Sequence, residues 1–234
     1  MLSAQYSDVH STIKTLSQPL FTEIAMVLDR SGSMADMATE AIGGFNSFLE
    51  DHQKQPGRAI LTLVLFDHEY IVAQDGCPVQ EVQKLDANSY QPRGTTALLD
   101  AIGRTIITVG ERLNHTPEQE RPGKVLIVIL TDGLENASKE FSLKQINQMI
   151  QHQHDVYSWE FIFLGAGQDA IQVANSLGIS ADSAVQFSGT PEGAVMAFQA
   201  ISRSSVAYRK GDLDFTRRLK ELAKKKSESQ SGAA

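Results

Sequence analysis

Three short and almost uninterrupted apolar runs constrain the fold of this 234-residue sequence more than any other feature. They occupy residues 24–28, 59–66 and 125–130, and each is bounded by turn-forming or acidic residues. A run of this length is too short for a core helix, and it lacks the polar alternation of a strand with one face in water. Each run is therefore predicted to be a strand buried on both faces, which is typical of parallel sheets covered by helices.

Segments with helical periodicity alternate with these runs along the chain. Apolar residues recur at the 3.6-residue spacing of a helix in residues 34–53, 97–113, 142–153, 169–177 and 192–208. Further short strands are predicted at 70–73, 159–164 and 184–187, the first of them antiparallel and the last at an edge. Alternating strands and helices predict a doubly wound α/β fold, in which a mostly parallel sheet of about six strands has helices on both faces.

The composition changes at both ends of the predicted domain. Residues 1–20 are polar and mixed, and we expect a leader or edge segment there. Residues 21–208 hold all of the predicted strands and helices. Residues 209–234 are basic and end in Ser, Gly and Ala, which predicts a tail that is partly helical and then disordered.

Composition also excludes several classes of function. The net charge is −7, and residues 1–208 carry the acidic excess because the tail is basic. An acidic body lacks the clustered Lys and Arg that phosphate contacts require, so no nucleic-acid partner is expected. No segment approaches the roughly 20 apolar residues of a membrane span, and the first residues lack the pattern of a secretory signal. With a single cysteine, Cys77, the sequence predicts a cytoplasmic protein without membrane contact.

Oxygen-bearing side chains occur where three predicted elements begin or end. An acid and two serines at alternate positions follow the first strand, two threonines open a helix, and an acid follows the strand at 125–130. The carboxyl ends of parallel strands share one edge of the sheet, so we expect these side chains to meet there. None offers sulfur or imidazole, which favours Mg²⁺, with Mn²⁺ or Ca²⁺ as alternatives, over zinc or copper. The residues are Asp29, Ser31, Ser33, Thr95 or Thr96, and Asp132.

This three-part pattern resembles the von Willebrand factor A domain. The match consists of Asp29-x-Ser31-x-Ser33, a distant Gly-Thr-Thr that opens a helix, and an apolar strand that ends in Thr-Asp-Gly at 131–133. The order and spacing of these parts agree with that family over roughly residues 20–205. The resemblance implies the same doubly wound fold and a metal-ion-dependent adhesion site.

The resemblance also implies a role for each residue of that site. The two serine hydroxyls would bind the metal, and the two aspartates would act directly or through water. The family's threonine matches Thr96 best, and Thr95 is the register-shifted alternative. A shell of this kind leaves one coordination position open to a carboxylate of a partner. The implied metal ligands are Asp29, Ser31, Ser33, Thr96 and Asp132.

Two classes of function are compatible with such a site. The first is a protein-binding module without catalytic activity that captures an Asp or Glu of a partner protein. Intracellular proteins that resemble this family often serve as adaptors of ATP-driven assemblies, so a subunit of a larger complex is a compatible form. The second is a Mg²⁺- or Mn²⁺-dependent hydrolase, which would need a general base, and only Glu135 and Asp67 are candidates.

Other metal-dependent and nucleophilic chemistries lack their motifs. Haloacid-dehalogenase-type phosphatases need a second carboxylate two residues after the first, where this sequence has Ser31. Neither a Gly-x-Ser-x-Gly elbow around the two serines nor a phosphate-binding loop ending in Gly-Lys-Ser/Thr occurs.

Four local expectations accompany this interpretation. Gly43 and Gly44, inside the helix at 34–53, predict close packing against the sheet. The hydroxyls of Thr95 and Thr96 are placed to cap the following helix. The six scattered histidines are expected at the surface. Arg30 and Asp67 are expected to lie at the surface or to structure loops rather than to bind the metal.

Overall fold

The computed structural model of the protein describes residues 21–212 and 214–216. The predicted leader over 1–20 and most of the predicted tail over 209–234 lie outside the described residues.

A six-stranded sheet forms the centre of the domain. Its strand order is β3-β2-β1-β4-β5-β6, and every neighbouring pair is parallel except β2 and β3. The structure therefore confirms the doubly wound α/β sheet with one antiparallel edge strand. The strands are β1 (Thr22–Asp29), β2 (Ala59–Phe66), β3 (Tyr70–Pro78), β4 (Lys124–Thr131), β5 (Glu160–Ala166) and β6 (Ala184–Phe187).

Five α-helices cover the two faces of the sheet. They are α1 (Ala38–Gln53), α2 (Leu98–His115), α3 (Leu143–Tyr157), α4 (Ala170–Ser176) and α5 (Pro191–Arg209). Helices α1 and α5 pack on one face, and α2, α3 and α4 pack on the other. Every residue of β1 and β2 is buried, which explains why their sequences carry no polar alternation.

Two element boundaries differ from the sequence-based prediction. The segment before α1 begins as a 3₁₀ helix over Gly32–Met37, so the α-helix starts later than predicted. Strand β3 continues to Pro78 because an irregular register keeps it paired with β2 beyond Ala73. The polar composition of residues 74–78 reflects an exposed edge strand rather than a loop.

The glycine pair packs differently from the prediction. A Cβ on Gly44 would lie 2.3 Å from Cδ2 of Phe198, a residue of α5, whereas a Cβ on Gly43 would have no heavy atom within 4 Å. Only Gly44 therefore permits a close approach, and its neighbour is a helix and not the sheet. The expectation was wrong because sequence periodicity does not reveal that α1 packs against α5 as well as against the sheet.

The expectation of surface histidines is wrong at His52. His52 belongs to α1, and its side chain is fully buried against α5. Its Nε2 lies 2.8 Å from Oγ of Ser205. Ser205 donates its own proton to the carbonyl of Ile201, so the imidazole donates from Nε2. Nδ1 then accepts from Arg209 at 3.1 Å. Burial and the Arg209 charge lower the pKa of His52 to about 3.

In the described part of the chain, no helix combines the length and apolar character that crossing a bilayer requires.

Candidate metal centre

The candidate site lies at the topological switch point of the sheet, where successive strands are added in opposite directions. Strands β1 and β4 are neighbours, and the chain proceeds from β1 towards β2 on one side and from β4 towards β5 on the other. A crevice opens at this switch point, outside the carboxyl ends of the two strands. Asp29 ends β1 and Asp132 directly follows β4, so the topology brings both predicted acids to the crevice.

Asp29 forms the buried base of the site. Its Oδ1 accepts from the backbone N–H of Ser31 at 2.6 Å, and its Oδ2 accepts from the Thr131 hydroxyl at 2.6 Å. Burial raises the pKa of Asp29 to about 6, although these hydrogen bonds act in the opposite direction. The Tyr90 hydroxyl donates to the backbone carbonyl of Asp29 at 2.5 Å, so the turn after β1 is held from both sides.

Two serines connect Asp29's turn with Asp132. The hydroxyl oxygens of Ser31 and Ser33 are 3.1 Å apart, and Ser33 donates to Oδ1 of Asp132 at 2.7 Å. Ser31 is buried, whereas Ser33 is exposed. Burial raises the pKa of Asp132, and the hydrogen bond from Ser33 opposes that shift. The three side chains form a continuous row of oxygens from the floor of the crevice to solvent.

The two candidate threonines lie in different environments. Thr96 is buried, and its Oγ1 would lie 2.7 Å from a Cβ placed on Gly133. The same Cβ would lie 3.5 Å from Oγ of Ser33, so the Thr96 hydroxyl and the row of oxygens both lie close to Gly133. Thr95 is exposed. The structure thus brings Thr96 to the predicted cluster, and a side chain at position 133 would crowd the Thr96 hydroxyl.

The threonines do not cap α2, which corrects the sequence-based expectation. Ala97 occupies the N-cap position, and no side-chain cap is formed there. Two of the free N–H groups of the first turn instead donate to side chains of the loop after β4. The backbone N–H of Leu99 donates to Oε2 of Glu135 at 2.9 Å, and that of Asp100 donates to Oγ of Ser138 at 3.1 Å. A negative side chain at this end of a helix is favourable.

Segment 135–141 therefore connects the loop after β4, which begins with Asp132, to the segment before α2 that carries Thr96. We call residues 135–141 the bracket. The backbone N–H of Thr96 donates to Oδ1 of Asn136 at 2.9 Å, and the N–H of Asn136 returns to the Thr96 carbonyl at 3.1 Å. In the other direction, Asp100 accepts three backbone N–H groups from residues 139–141 at 2.8–3.0 Å. Sequence reasoning missed these functions, because polar residues after Asp132 carry no periodic signal.

A cluster of charged side chains, formed by Arg30, Arg93 and Asp67, stabilises the turn after β1. Arg30 and Arg93 both contact Oδ2 of Asp67, at 3.1 and 3.0 Å, and Asp67 is fully buried. The expectation that Arg30 and Asp67 structure loops is confirmed, although neither lies at the surface. Backbone hydrogen bonds from Arg93 to Arg30 and from Gly32 to Gly94 hold the turn after β1 against the segment that carries Thr96.

The spacing of the oxygens fits a hard divalent cation. An octahedral ion with bonds near 2.1 Å places adjacent ligand oxygens about 3 Å apart. The Ser31–Ser33 and Ser33–Asp132 oxygen pairs are 3.1 and 2.7 Å apart. Within the described residues, no group of three or more His, Cys, Asp or Glu side chains could hold a metal ion. A metal at the crevice would therefore rest on hydroxyls together with the two aspartates, a donor set that suits Mg²⁺ or Mn²⁺.

Similarity to known proteins is found at the level of structure. A scan of protein-family models finds no match, and a search of curated proteins finds no similar chain. Among solved structures, the von Willebrand factor domain of the type V pili tip protein Mfa5 from Porphyromonas gingivalis is similar with a TM-score of 0.57 and 12% identity. The similarity covers 81% of this chain and 96% of that one.

Two further structures show the same similarity. Proximal thread matrix protein 1 from the mussel byssus, with a zinc-occupied MIDAS motif, has a TM-score of 0.56 and 14% identity over 80% of this chain. A von Willebrand factor type A protein from Catenulispora acidiphila has a TM-score of 0.50 and 15% identity over 80% of this chain. The chain spans only 46% of the mussel protein and 42% of the Catenulispora acidiphila protein.

The TM-scores establish a similarity of fold, and identities this low do not extend the similarity to activity. The mostly parallel six-stranded sheet with one antiparallel strand and flanking helices matches the fold of the similar structures over about four-fifths of the chain. The chain has the doubly wound fold of von Willebrand factor A domains.

Proposed function

We propose that the protein is a metal-dependent protein-interaction module whose crevice is an intact metal-ion-dependent adhesion site. The proposed ligands are the hydroxyls of Ser31, Ser33 and Thr96, while Asp29 and Asp132 act directly or through water. The ion is proposed to be Mg²⁺, with Mn²⁺ or Ca²⁺ as alternatives. When bound, such an ion supplies a positive centre with an open position for one carboxylate oxygen of a partner.

One observation carries this proposal. The row of oxygens from Ser31 through Ser33 to Asp132 combines spacings of 3.1 and 2.7 Å, close to those of adjacent ligands of one ion, with exposure to solvent at Ser33. The buried parts of the site fix the ligands, because Thr131 and Ser31 hold Asp29 while the bracket holds Thr96. A site whose ligands are held by buried hydrogen bonds and whose opening faces solvent suits the capture of a partner's side chain. The zinc-occupied motif in the mussel protein is a finding about that protein, and it makes divalent binding here a reasonable proposal.

The alternative is a Mg²⁺- or Mn²⁺-dependent hydrolase, and two contacts favour the binding module over it. The carboxylate of Glu135 accepts hydrogen bonds from Leu99, Ala137 and Ser138, and that of Asp67 contacts two arginines. Both candidate bases are thus engaged in holding loops. A general base must be able to reach the proton that it removes.

The partner is proposed to be a protein that presents an Asp or Glu. The acidic composition disfavours nucleic acid as a partner. The free thiol of Cys77 agrees with a reducing, cytoplasmic location, where an adaptor or subunit of an ATP-driven assembly would act. Extracellular attachment, which the names of the pilus tip and byssus proteins suggest for those proteins, is the competing setting.

Adjacent threonines provide a matched test of the metal site. We expect calorimetric titration of the EDTA-treated protein with Mg²⁺ and Mn²⁺ to give one site, and Thr96→Ala to weaken it at least tenfold. Thr95→Ala is the control, because Thr95 is exposed and its neighbour is buried. Pull-down from native extract with and without EDTA then tests whether partner binding depends on the metal. Equal metal affinity in both threonine variants and the wild type would contradict the proposal.

A further inference from the structure

An open cavity lies directly beside the candidate metal centre, at the carboxyl ends of β4 and β5. Its volume is about 570 Å³, within the roughly 300–1,000 Å³ that ligand sites occupy. Asp132 and Gly133 belong to its wall, so the cavity and the metal centre share one boundary. A molecule bound at the metal therefore reaches the cavity without crossing any other surface.

Two leucines at this cavity are exposed to solvent. Leu134 is 69% exposed and Leu143 is 42% exposed, whereas Leu98 and Phe163 contribute buried apolar surface to the lining. Leu134 lies only two residues after Asp132 in the sequence and lines the cavity. Large apolar side chains that stay in water at the edge of a cavity are typical of a surface that a partner covers.

The charged side chains of the lining are all acidic. Asp132, Glu135 and Asp169 belong to it, and no Lys, Arg or His is among the described residues that line the cavity. Such a wall repels phosphate groups and carboxylates unless a cation lies between the charges. A partner's carboxylate is therefore confined to the metal, and the side chain beside it that enters the cavity carries no negative charge. The apolar lining, which includes Leu98, Leu134 and Phe163, favours an apolar side chain over a basic one.

We infer that this cavity receives a bulky aliphatic or aromatic side chain that neighbours the metal-binding acid in the partner's sequence. The occupant is an exposed segment of a partner protein in which Asp or Glu stands beside Leu, Ile, Met or Phe. The inference rests on the proposed function, since the metal supplies the attraction for the acid. It adds the second half of the recognition motif, because the acid alone does not distinguish one partner from another.

Short peptides with matched changes test the inference on the full chain. The probe is the dye-labelled peptide Ser-Gly-Leu-Asp-Leu-Gly-Ser, which offers a leucine on both sides of the acid. Ser-Gly-Ser-Asp-Ser-Gly-Ser removes the apolar groups, and Ser-Gly-Leu-Asn-Leu-Gly-Ser removes the charge. With saturating Mg²⁺, fluorescence anisotropy is expected to show the first peptide binding about tenfold more tightly than the second, the gain for burying one leucine-sized group. The third peptide should bind no better in Mg²⁺ than in EDTA.

Two exposed apolar residues supply the variant and its control. Leu134→Ser should lower affinity for the leucine peptide about fivefold and leave both Mg²⁺ affinity and the serine peptide unchanged. Val156→Ser is the control, because Val156 is 58% exposed on α3 and does not line the cavity. It should change neither measurement.

The outcomes separate the cavity from the metal site. If the wild type binds none of Mg²⁺, Mn²⁺ and Ca²⁺ by calorimetry, the proposed function fails and the inference fails with it. If Mg²⁺ binds but the leucine and serine peptides bind equally, or neither binds, only the cavity inference is overturned. Equal binding of the asparagine peptide would make the cavity an apolar site independent of the metal. A dimer that Leu134→Ser dissociates would assign the cavity to a second copy of this chain. Either result would also overturn the inference.

Discussion

Removing the carboxylate of Glu135 should loosen both the fold and the metal site. This side chain accepts from Leu99 N–H at 2.9 Å, Ala137 N–H at 2.9 Å, and the N–H and hydroxyl of Ser138, both at 2.7 Å. Each carboxylate oxygen takes two of the four donors. Glu135→Ala leaves all four donors without their acceptor. Glu135→Gln leaves two, because an amide nitrogen cannot accept.

The structure sets the size of the effect. Hydrogen bonds to a charged group contribute about 1.5–3 kcal/mol each when they are buried. Glu135 is only half-buried, so water replaces much of the loss. We therefore expect Glu135→Ala to lower the free energy of unfolding by about 2 kcal/mol and Glu135→Gln by about 1 kcal/mol. In a domain of this size, those values correspond to Tm decreases of about 4–8 °C and 2–4 °C.

Measuring Mg²⁺ affinity together with Tm distinguishes a role of Glu135 in positioning the metal ligands from a role in the stability of the fold. Because the bracket holds Thr96 through Asn136, Glu135→Ala should also weaken Mg²⁺ binding by about 10-fold or more, as loss of partners around metal ligands commonly does. Calorimetric Mg²⁺ titration is run well below the Tm of each variant, and Glu111→Gln, at an exposed position on α2, is the control. A Glu135→Ala protein with the Tm and Mg²⁺ affinity of that control would refute the reasoning. A lower Tm with unchanged Mg²⁺ affinity would leave Glu135 with a structural role only.

Two further predictions concern the α1–α5 face. In chemical denaturation, Gly43→Ala should stabilise the protein by up to about 1 kcal/mol through helix propensity, whereas Gly44→Ala should destabilise it by about 1–3 kcal/mol because its Cβ would meet Phe198. For His52, the folded pKa of about 3 lies below the unfolded value near 6.5, so the unfolded chain binds more protons between them. The contribution of His52 is complete above pH 6.5 and is lost as pH falls, by about 2 kcal/mol at pH 5. His52→Gln should remove that part of the pH dependence, and the exposed His152→Gln is the control.

Contrary results would be unambiguous in both cases. Equal stability changes in the two glycine variants would mean that α1 and α5 do not approach closely at Gly44. An unchanged pH dependence in His52→Gln would mean that the imidazole is not buried in its neutral form.

Prediction from sequence succeeded where the signal is local. The three short apolar runs became β1, β2 and β4, because a strand buried on both faces can carry almost no polar residue. The alternation with amphipathic segments determined the doubly wound architecture, since each helix must cover one side of such a sheet. Placing the candidate acids at one edge followed from the same topology. The identities of Asp29 and Asp132 as crevice residues were therefore predictable from the sequence.

Prediction failed where a residue's neighbour is distant in sequence. The threonines were expected to cap α2, but Glu135 and Ser138 satisfy its first turn from the next loop. His52 was expected at the surface, but helix α5 covers it. No residue within one turn of these positions reveals the partner, because the contact exists only after two elements have packed.

The sequence by itself determined the sheet, its helical covering and the presence of a hard-oxygen donor set at one edge, because those properties depend on the period and polarity of short segments. Only the tertiary structure decided which threonine approaches Ser33, what holds that threonine, and that an apolar cavity with an acidic wall adjoins Asp132. Each of these is a contact between loops that follow different strands. Their distances depend on how the helices seat on the sheet, and that packing is set by the whole core at once.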